Sequence, residues 1–341
     1  MVSRPIDIPD RQRLATYLEA HVDGFKGPLS ARKFADGQSN PTFLLEAASG
    51  KYVLRSKPPG ALLKSAHAVD REFRVLRALA KTDVPVPDVF HLCRDDSVVG
   101  SMFYVMNYED GRVFWDPALP EIELGVRAAY HRDLVRVLAT LHDVDIHAVG
   151  LADFGKPGNY FERQTGRWSR QYRATQTGTV PAMETLMRRL PASIPADDGQ
   201  VSLIHGDYRL DNAMFDADTP RVIAVLDWEL STLGHPYADI AYYCMCQRLP
   251  PSGIVRGLAG IDRVAVGVPD ERDVIAQYCD LRGIAPIENW NFYLAFSFFR
   301  LAAICQGVER RALEGNASSA RAREVGRMVA PLSDMALALV G

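Results

Sequence analysis

Two short stretches hold the residues best suited to chemistry. The first reads Leu203-Ile204-His205-Gly206-Asp207-Tyr208-Arg209-Leu210-Asp211-Asn212, the second Val222-Ile223-Ala224-Val225-Leu226-Asp227-Trp228-Glu229. In each, an apolar run of strand character delivers a carboxylate to a loop, and Asn212 follows Asp207 by five positions. The pattern is expected to set Asp207, Asn212 and Asp227, all oxygen donors, at the ends of neighbouring strands. Such donors suit a hard cation such as magnesium, which keeps waters and substrate phosphates in its remaining positions. The chemistry this points to is phosphoryl transfer, where catalysis is mainly positioning and charge stabilisation.

The elements that must position these residues can be read from periodicity. Asp10 to His21 has helical spacing with Asp10 as its cap. Leu29 to Phe34, Thr42 to Ala47 and Tyr52 to Arg55 read as strands separated by turns at Gly37 and Gly50. Ser65 to Ala80 reads as a helix with Val69, Phe73, Leu76 and Leu79 on its apolar side, ended by Pro85 and Pro87. Val89 to Cys93 and Met102 to Asn107 add two strands, and the polar turn Asn107-Tyr108-Glu109-Asp110-Gly111 marks the boundary between lobes. Residues 1–107 are therefore expected to form a small antiparallel sheet lobe, and 108–341 a larger lobe.

The second lobe reads as mostly helical. Helices are expected over Glu121 to His142, Tyr160 to Thr175, Pro181 to Leu190, Pro236 to Arg248, Asp270 to Arg282, Glu288 to Glu314 and Ala317 to Val340. The class is α+β, a small sheet lobe followed by a helical one. Gly150-Leu151-Ala152-Asp153-Phe154-Gly155-Lys156-Pro157 imitates a phosphate loop, but it lacks the closing Ser or Thr and follows a helix where a strand is needed, so it reads as a plain loop.

Composition sets outer limits. A chain of 341 residues, 48% hydrophobic and 24% charged, is ordinary for a soluble protein with two cores. A net charge of -3 gives no polyelectrolyte character, so nothing global points to nucleic acid. Five scattered cysteines do not make a disulfide framework. The N-terminus lacks the apolar core of a signal peptide, and Trp290 to Ile304 is too short for a membrane span and is interrupted by Arg300. A cytoplasmic protein without membrane contact is expected.

The order His205-Gly206-Asp207, Asn212, Asp227 resembles the aminoglycoside phosphotransferase and choline kinase family, which has the protein-kinase-like fold. Trp228-Glu229 and Gly234-His235-Pro236-Tyr237-Ala238-Asp239-Ile240-Ala241 resemble the continuation of the same motif. Gly37-Gln38-Ser39-Asn40-Pro41-Thr42 and Tyr52-Val53-Leu54-Arg55 resemble its nucleotide-binding lobe, so the likeness spans nearly the whole chain. Lys57-Pro58-Pro59-Gly60 and Ala66-His67-Ala68-Val69-Asp70-Arg71-Glu72 are similar to the branch whose kinase-like domain is fused to some acyl-CoA dehydrogenases.

The resemblance implies a two-lobed kinase of small molecules that uses ATP and magnesium. Asp207 would orient the acceptor hydroxyl and take its proton, Asn212 and Asp227 would hold magnesium, and His205 and Asp239 would brace the loop. The family's phosphate-binding lysine aligns with Arg55, while Lys57 lies on the same face of the strand; a guanidinium grips phosphate oxygens in two places, which favours Arg55 over its rival. Glu72 would hold that cation, against the plainer reading of a solvated helical charge. Ser39 and the backbone around it would cover the phosphates, and Tyr108 and its neighbours would offer backbone groups to adenine. A lone His-Gly-Asp is more often a turn than a site; three motifs in order argue for the site.

The acceptor leaves one trace. Arg163, Arg167, Arg170 and Arg173 form a basic stripe on the Tyr160 to Thr175 helix, with Glu162 the only acid. Such stripes are usually solvated faces. Facing the acceptor, this one would favour an anionic substrate such as a hydroxyacyl-CoA. The competing functional class is a catalytically silent nucleotide-binding module that keeps the fold for regulation.

Overall fold

The computed structural model describes residues 8, 10–34, 40–58, 68–314 and 324–341. By internal contacts the chain forms two compact units, each assembled from separate pieces of sequence. The first comprises Met1–Arg112, Ala148–Leu151 and Ala213–Ser231, the second Val113–His147, Ala152–Asn212 and Thr232–Gly341.

The first unit opens with α1 (Arg11–His21), whose N-terminus is closed by the Asp10 side chain accepting from the Arg13 amide at 2.9 Å. Strands β1 (Leu29–Lys33), β2 (Thr42–Ala47) and β3 (Gly50–Ser56) follow, then α2 (Val69–Leu79), β4 (Val89–Cys93) and β5 (Phe103–Asn107). The five strands make one sheet in the order β1-β2-β3-β5-β4, with every neighbouring pair antiparallel. Leu45, Leu54, Phe103 and Val105 meet Leu14 and Leu18 of α1 in a core on one side of the sheet. Register sets Arg55 opposite Thr42 on one neighbour and Tyr104 on the other. α2 packs on β4 and β5 and buries Val69, Val75, Leu76 and Leu79, and also Glu72.

A two-residue strand, β6 (Arg112–Val113), precedes α3 (Arg127–His142), α4 (Tyr160–Thr175) and α5 (Pro181–Ala192). The helix expected from Glu121 begins six residues late, because 121–126 form turns with Ile122 buried and the Arg127 Nε donating to the Ile122 carbonyl at 2.8 Å. Strand β7 (Ser202–Ile204) leads into the His205 turn, and β8 (Ala213–Phe215) and β9 (Val222–Val225) form a hairpin in the first unit. β7 pairs with β10 (Thr232–Gly234), not with β9. The strands that precede Asp207 and Asp227 thus lie in different sheets.

Helices α6 (Tyr237–Gln247), α7 (Glu271–Arg282), α8 (Trp290–Leu313) and α9 (Val329–Leu339) complete the second unit. Of the Ala317 to Val340 helix, 317–323 fall outside the described residues. Asp270 caps α7 at one end, and Gly283, at φ 60°, closes the other in the left-handed region that glycine tolerates. α8 is the hub, packing on α4, α6 and α9. The 150–157 stretch is a loop, and Gly155 is there for close packing, since a Cβ would lie 2.5 Å from Thr232 Oγ1 and 2.7 Å from the Leu233 amide nitrogen. No described helix is long and apolar enough to cross a membrane.

Candidate active site

In the first unit the chemistry gathers around Arg55. Its side chain leaves β3 beside Tyr104 and is 13% exposed, with Nε 2.7 Å from Glu72 Oε2 and Nη2 2.5 Å from Asp227 Oδ1. The Nε contact is an ion pair whose N–H is not aligned on the oxygen; the hydrogen bond to Glu72 is made by Nη2 to Oε1 at 3.3 Å. Glu72, 1% exposed, also accepts from Asn40 Nδ2 at 2.8 Å and from the Tyr104 hydroxyl at 3.1 Å. Burial pushes the Glu72 pKa up, the Arg55 charge opposes it, and the nearby Asp227 carboxylate adds to the rise, which leaves the pKa above the usual value. Burial alone would lower the Arg55 pKa, but the Glu72 and Asp227 carboxylates outweigh it and raise it, so the guanidinium stays charged.

Asp227 gets its place from the turn that follows it. Trp228, 2% exposed, donates its indole N–H to the Val225 carbonyl at 2.9 Å, and Ser231 closes the turn on the Trp228 carbonyl. Asp227 itself sits at φ 64°, a left-handed conformation that Asp tolerates better than most residues. Carboxylate oxygens of Glu72, Asp227 and Glu229 lie within 4.8 Å of one another. Three carboxylates so close together concentrate negative charge of the kind a divalent cation balances, with Arg55 set against two of them. The donors are all hard oxygens, which fit magnesium.

Lys57 lies just past the end of β3, held by its backbone to Met102 and Ser101, and makes no ion pair among the described residues. The Tyr108 ring carries the Lys51 amine at 5.2 Å. Ser39, Gly37 and Gln38 lie outside the described residues.

In the second unit the organising feature is the turn after β7. Gly206 has φ 84°, and Asp239 from α6, fully buried, accepts the His205 amide at 2.6 Å and the Gly206 amide at 2.9 Å. Burial pushes the Asp239 carboxyl up, but the bonds from His142 and the Gly206 amide win, and its pKa ends below the usual value. Asn212 donates to both the backbone carbonyl and Oδ2 of Asp207, at 2.8 and 2.9 Å. Among the described residues its carboxamide oxygen accepts no hydrogen bond. Arg209 lies over the same turn, 3.5 Å from Asp207 Oδ2 and 3.2 Å from Asp211 Oδ2. His205, fully buried, uses Nδ1 to accept the Asp207 amide at 3.2 Å, which is a bracing contact.

Sequence reasoning passed over three charged residues here: Arg209, Glu229 and Arg300. The first two stand two positions after Asp207 and Asp227, and that parallel spacing was a usable signal. Arg300 stood out as one cation in an otherwise apolar run, noted only as a break in hydropathy. The basic stripe is smaller than four residues suggest, since Arg163 donates to the carbonyls of Lys156 and Pro157, leaving Arg167, Arg170 and Arg173 exposed.

The sequence profile of the phosphotransferase enzyme family matches residues 30–271. The chain belongs to that family. It is 48% identical over 311 residues to acyl-CoA dehydrogenase family member 10 of Mus musculus, covering 91% of this chain and 29% of that protein. It is 42% identical over 340 residues to acyl-CoA dehydrogenase family member 11 of Rattus norvegicus, covering 97% of this chain and 43% of that protein. The chain thus spans less than half the length of these relatives. A solved Ralstonia eutropha structure named for the aminoglycoside phosphotransferases is 47% identical with a TM-score of 0.89, covering 97% of this chain and 98% of that one. A spectinomycin phosphotransferase in complex with ADP and spectinomycin shares the fold alone, at 12% identity and a TM-score of 0.64, covering 98% of this chain and 99% of that one. The fold is the α+β, protein-kinase-like fold of the phosphotransferases.

Proposed function

We propose that the protein is a magnesium- and ATP-dependent kinase that phosphorylates a hydroxyl of a small molecule. The observation that carries the reading is Arg55 held between Glu72 at 2.7 Å and Asp227 at 2.5 Å, a cation fixed beside a carboxylate with a further acid next to it. Arg55 grips phosphate oxygens of the nucleotide, and Glu72 fixes its direction. Lys57, with no competing partner among the described residues, is the secondary cation. Tyr108 and its neighbours meet the adenine, and Ser39 covers the phosphates. Asn212 and Asp227 hold magnesium, which when bound neutralises charge on the phosphates.

Asp207 performs the remaining step. Its carboxylate accepts a hydrogen bond from the acceptor hydroxyl, aims the oxygen for in-line attack and takes the proton as the new bond forms. Asn212, bonded to Oδ2 at 2.9 Å, keeps that carboxylate in one orientation. The five cysteines, all free and buried, suit a reducing cytoplasm.

For the acceptor we infer an anionic metabolite, with hydroxyacyl-CoA esters as the first class to try. The exposed Arg167, Arg170 and Arg173 supply positive charge, and the relatives named as acyl-CoA dehydrogenase family members suggest the acyl carrier. ADP release with hydroxyacyl-CoA esters, free hydroxy acids and aminoglycosides, measured side by side, tests this; turnover confined to aminoglycosides refutes it. The silent-module reading is tested by Asp207→Asn, in which a kinase loses phosphate transfer while its thermal shift with magnesium and ATP remains. Wild-type protein that shows the shift but transfers no phosphate to any acceptor would favour the silent module.

A further inference from the structure

Arg300 comes from the middle of α8 and is 5% exposed. Among the described residues it makes no ion pair. Its Nη2 donates to the Gly206 carbonyl, and its guanidinium carbon lies 5.8 Å from the Trp168 ring centre and 5.3 Å from that of Tyr242. A buried cation without a carboxylate is costly, and two aromatic faces and one carbonyl only partly offset that cost. An apolar side chain of similar volume would fill the same space without this cost. The position therefore asks what the guanidinium does for Gly206.

The peptide linking Gly206 to Asp207 is fixed at both ends. Its carbonyl accepts from Arg300, and its N–H, the Asp207 amide, donates to His205 Nδ1 at 3.2 Å. Gly206 has φ 84° and no Cβ, so rotation of this peptide would meet little steric resistance. Asp239 holds the other side of Gly206, through the amides of His205 and Gly206, and leaves the 206–207 peptide free to turn. A turned peptide would re-aim Asp207.

We propose that Arg300 is a positioning residue for the reaction, a buried clamp on the Gly206 carbonyl that fixes the peptide from which Asp207 projects. Its catalytic consequence rests on the reading of Asp207 as the base; the clamp itself does not. The planar guanidinium, near the faces of Trp168 and Tyr242, presents its N–H in one direction, which a lysine would do less well.

The test is native-state hydrogen exchange of the peptide spanning 203–210, with ADP release from magnesium-ATP, water serving as acceptor, measured on the same samples. Arg300→Met is expected to speed exchange in this peptide about tenfold, with other regions unchanged. It should lower kcat about a hundredfold while KM for ATP stays within about threefold, the pattern of a misplaced catalytic group. Arg300→Lys should recover part of both. Unchanged exchange overturns the clamp, and faster exchange with unaltered kcat overturns the positioning role. If Arg300→Met does not fold, Trp168→Leu removes one aromatic face and must show the same direction in exchange and kcat. Asp207→Asn, run alongside, separates the two readings: normal ADP release there refutes Asp207 as base, while exchange still decides the clamp.

Discussion

Replacing Arg55 by Met isolates the first unit's ionic group. The substitution keeps most of the side-chain volume but leaves Glu72, 1% exposed, without its cation. Stripping one partner from a buried ion pair costs about 3–5 kcal/mol when the remaining charge is left alone. Glu72 is not alone, because Asn40 at 2.8 Å and Tyr104 at 3.1 Å still donate to it. These bonds persist in the variant and keep the carboxyl solvated, so the expected loss lies at the low end of that range, about 3 kcal/mol. Adding Glu72→Gln removes the stranded charge, leaves an oxygen for Asn40 and sets an N–H towards the Tyr104 hydroxyl, which can turn to accept it, so the double variant should recover at least half of the loss. The same substitution removes a bidentate phosphate contact, so affinity for magnesium-ATP should fall at least about tenfold. Lys57→Met should change stability and affinity little. Urea unfolding and calorimetric titration read both quantities. A Lys57→Met variant that loses more nucleotide affinity than Arg55→Met would refute the assignment, and a double variant no more stable than Arg55→Met would refute the electrostatic account.

Asp239→Asn should cost about 3–5 kcal/mol in urea unfolding, since an amide cannot accept both the His205 and Gly206 amides, and a loss under about 1 kcal/mol would refute the brace. Chelating magnesium should abolish most of the ATP-induced rise in melting temperature, and Asp227→Asn should reduce the shift in magnesium to the chelated level. Burial drives the His131 pKa from 6.5 to about 4, with the Arg263 charge adding to the fall and the bond from Nε2 to the Pro117 carbonyl only partly opposing it. Between those values the unfolded chain binds more protons, so the contribution, at most about 3 kcal/mol, is whole above pH 6.5 and is lost as pH falls towards 4. Stabilities at pH 7.5 and pH 5 should therefore differ less in His131→Gln than in the wild type.

Much of the fold was legible because the strands and helices carry their own periodicity. The Asp10 and Asp270 caps, the β1 to β5 segments and the buried cysteines all follow from local patterns. Pairing did not follow: strands of three and four residues, such as β7 and β9, carry too little pattern to choose partners, and neighbours in sequence were taken for neighbours in space. At the site, residue types and spacing singled out Asp207, Asn212 and Asp227. They could not single out Arg300, which comes from α8 to reach Gly206. Glu72 was half legible: it stands one turn from Val69 and Leu76 on the apolar side, but Asp70, Arg71 and Arg74 beside it make the helix look solvated. Long-range partners of this kind are set by packing, which leaves no local mark.

The two units hold their functional groups by one device. In the first, Arg55 meets solvent only slightly and is fixed by a carboxylate that meets almost none; in the second, the turn carrying Asp207 is fixed by Asp239 and Arg300, both buried. The groups assigned to chemistry are the more exposed members, Asp207 at 18% and Asp227 at 33%, and the groups that orient them lie behind. This layering separates two kinds of loss. Removing Asp207 deletes an oxygen whose partners among the described residues are Asn212 and Arg209, the latter also paired with Asp211, so stability should change little while transfer stops. Removing Asp239 or Glu72 strands polar partners inside the protein, so activity and stability should fall together. The balance between the two losses at each position is therefore a direct readout of whether a residue does the chemistry or aims it.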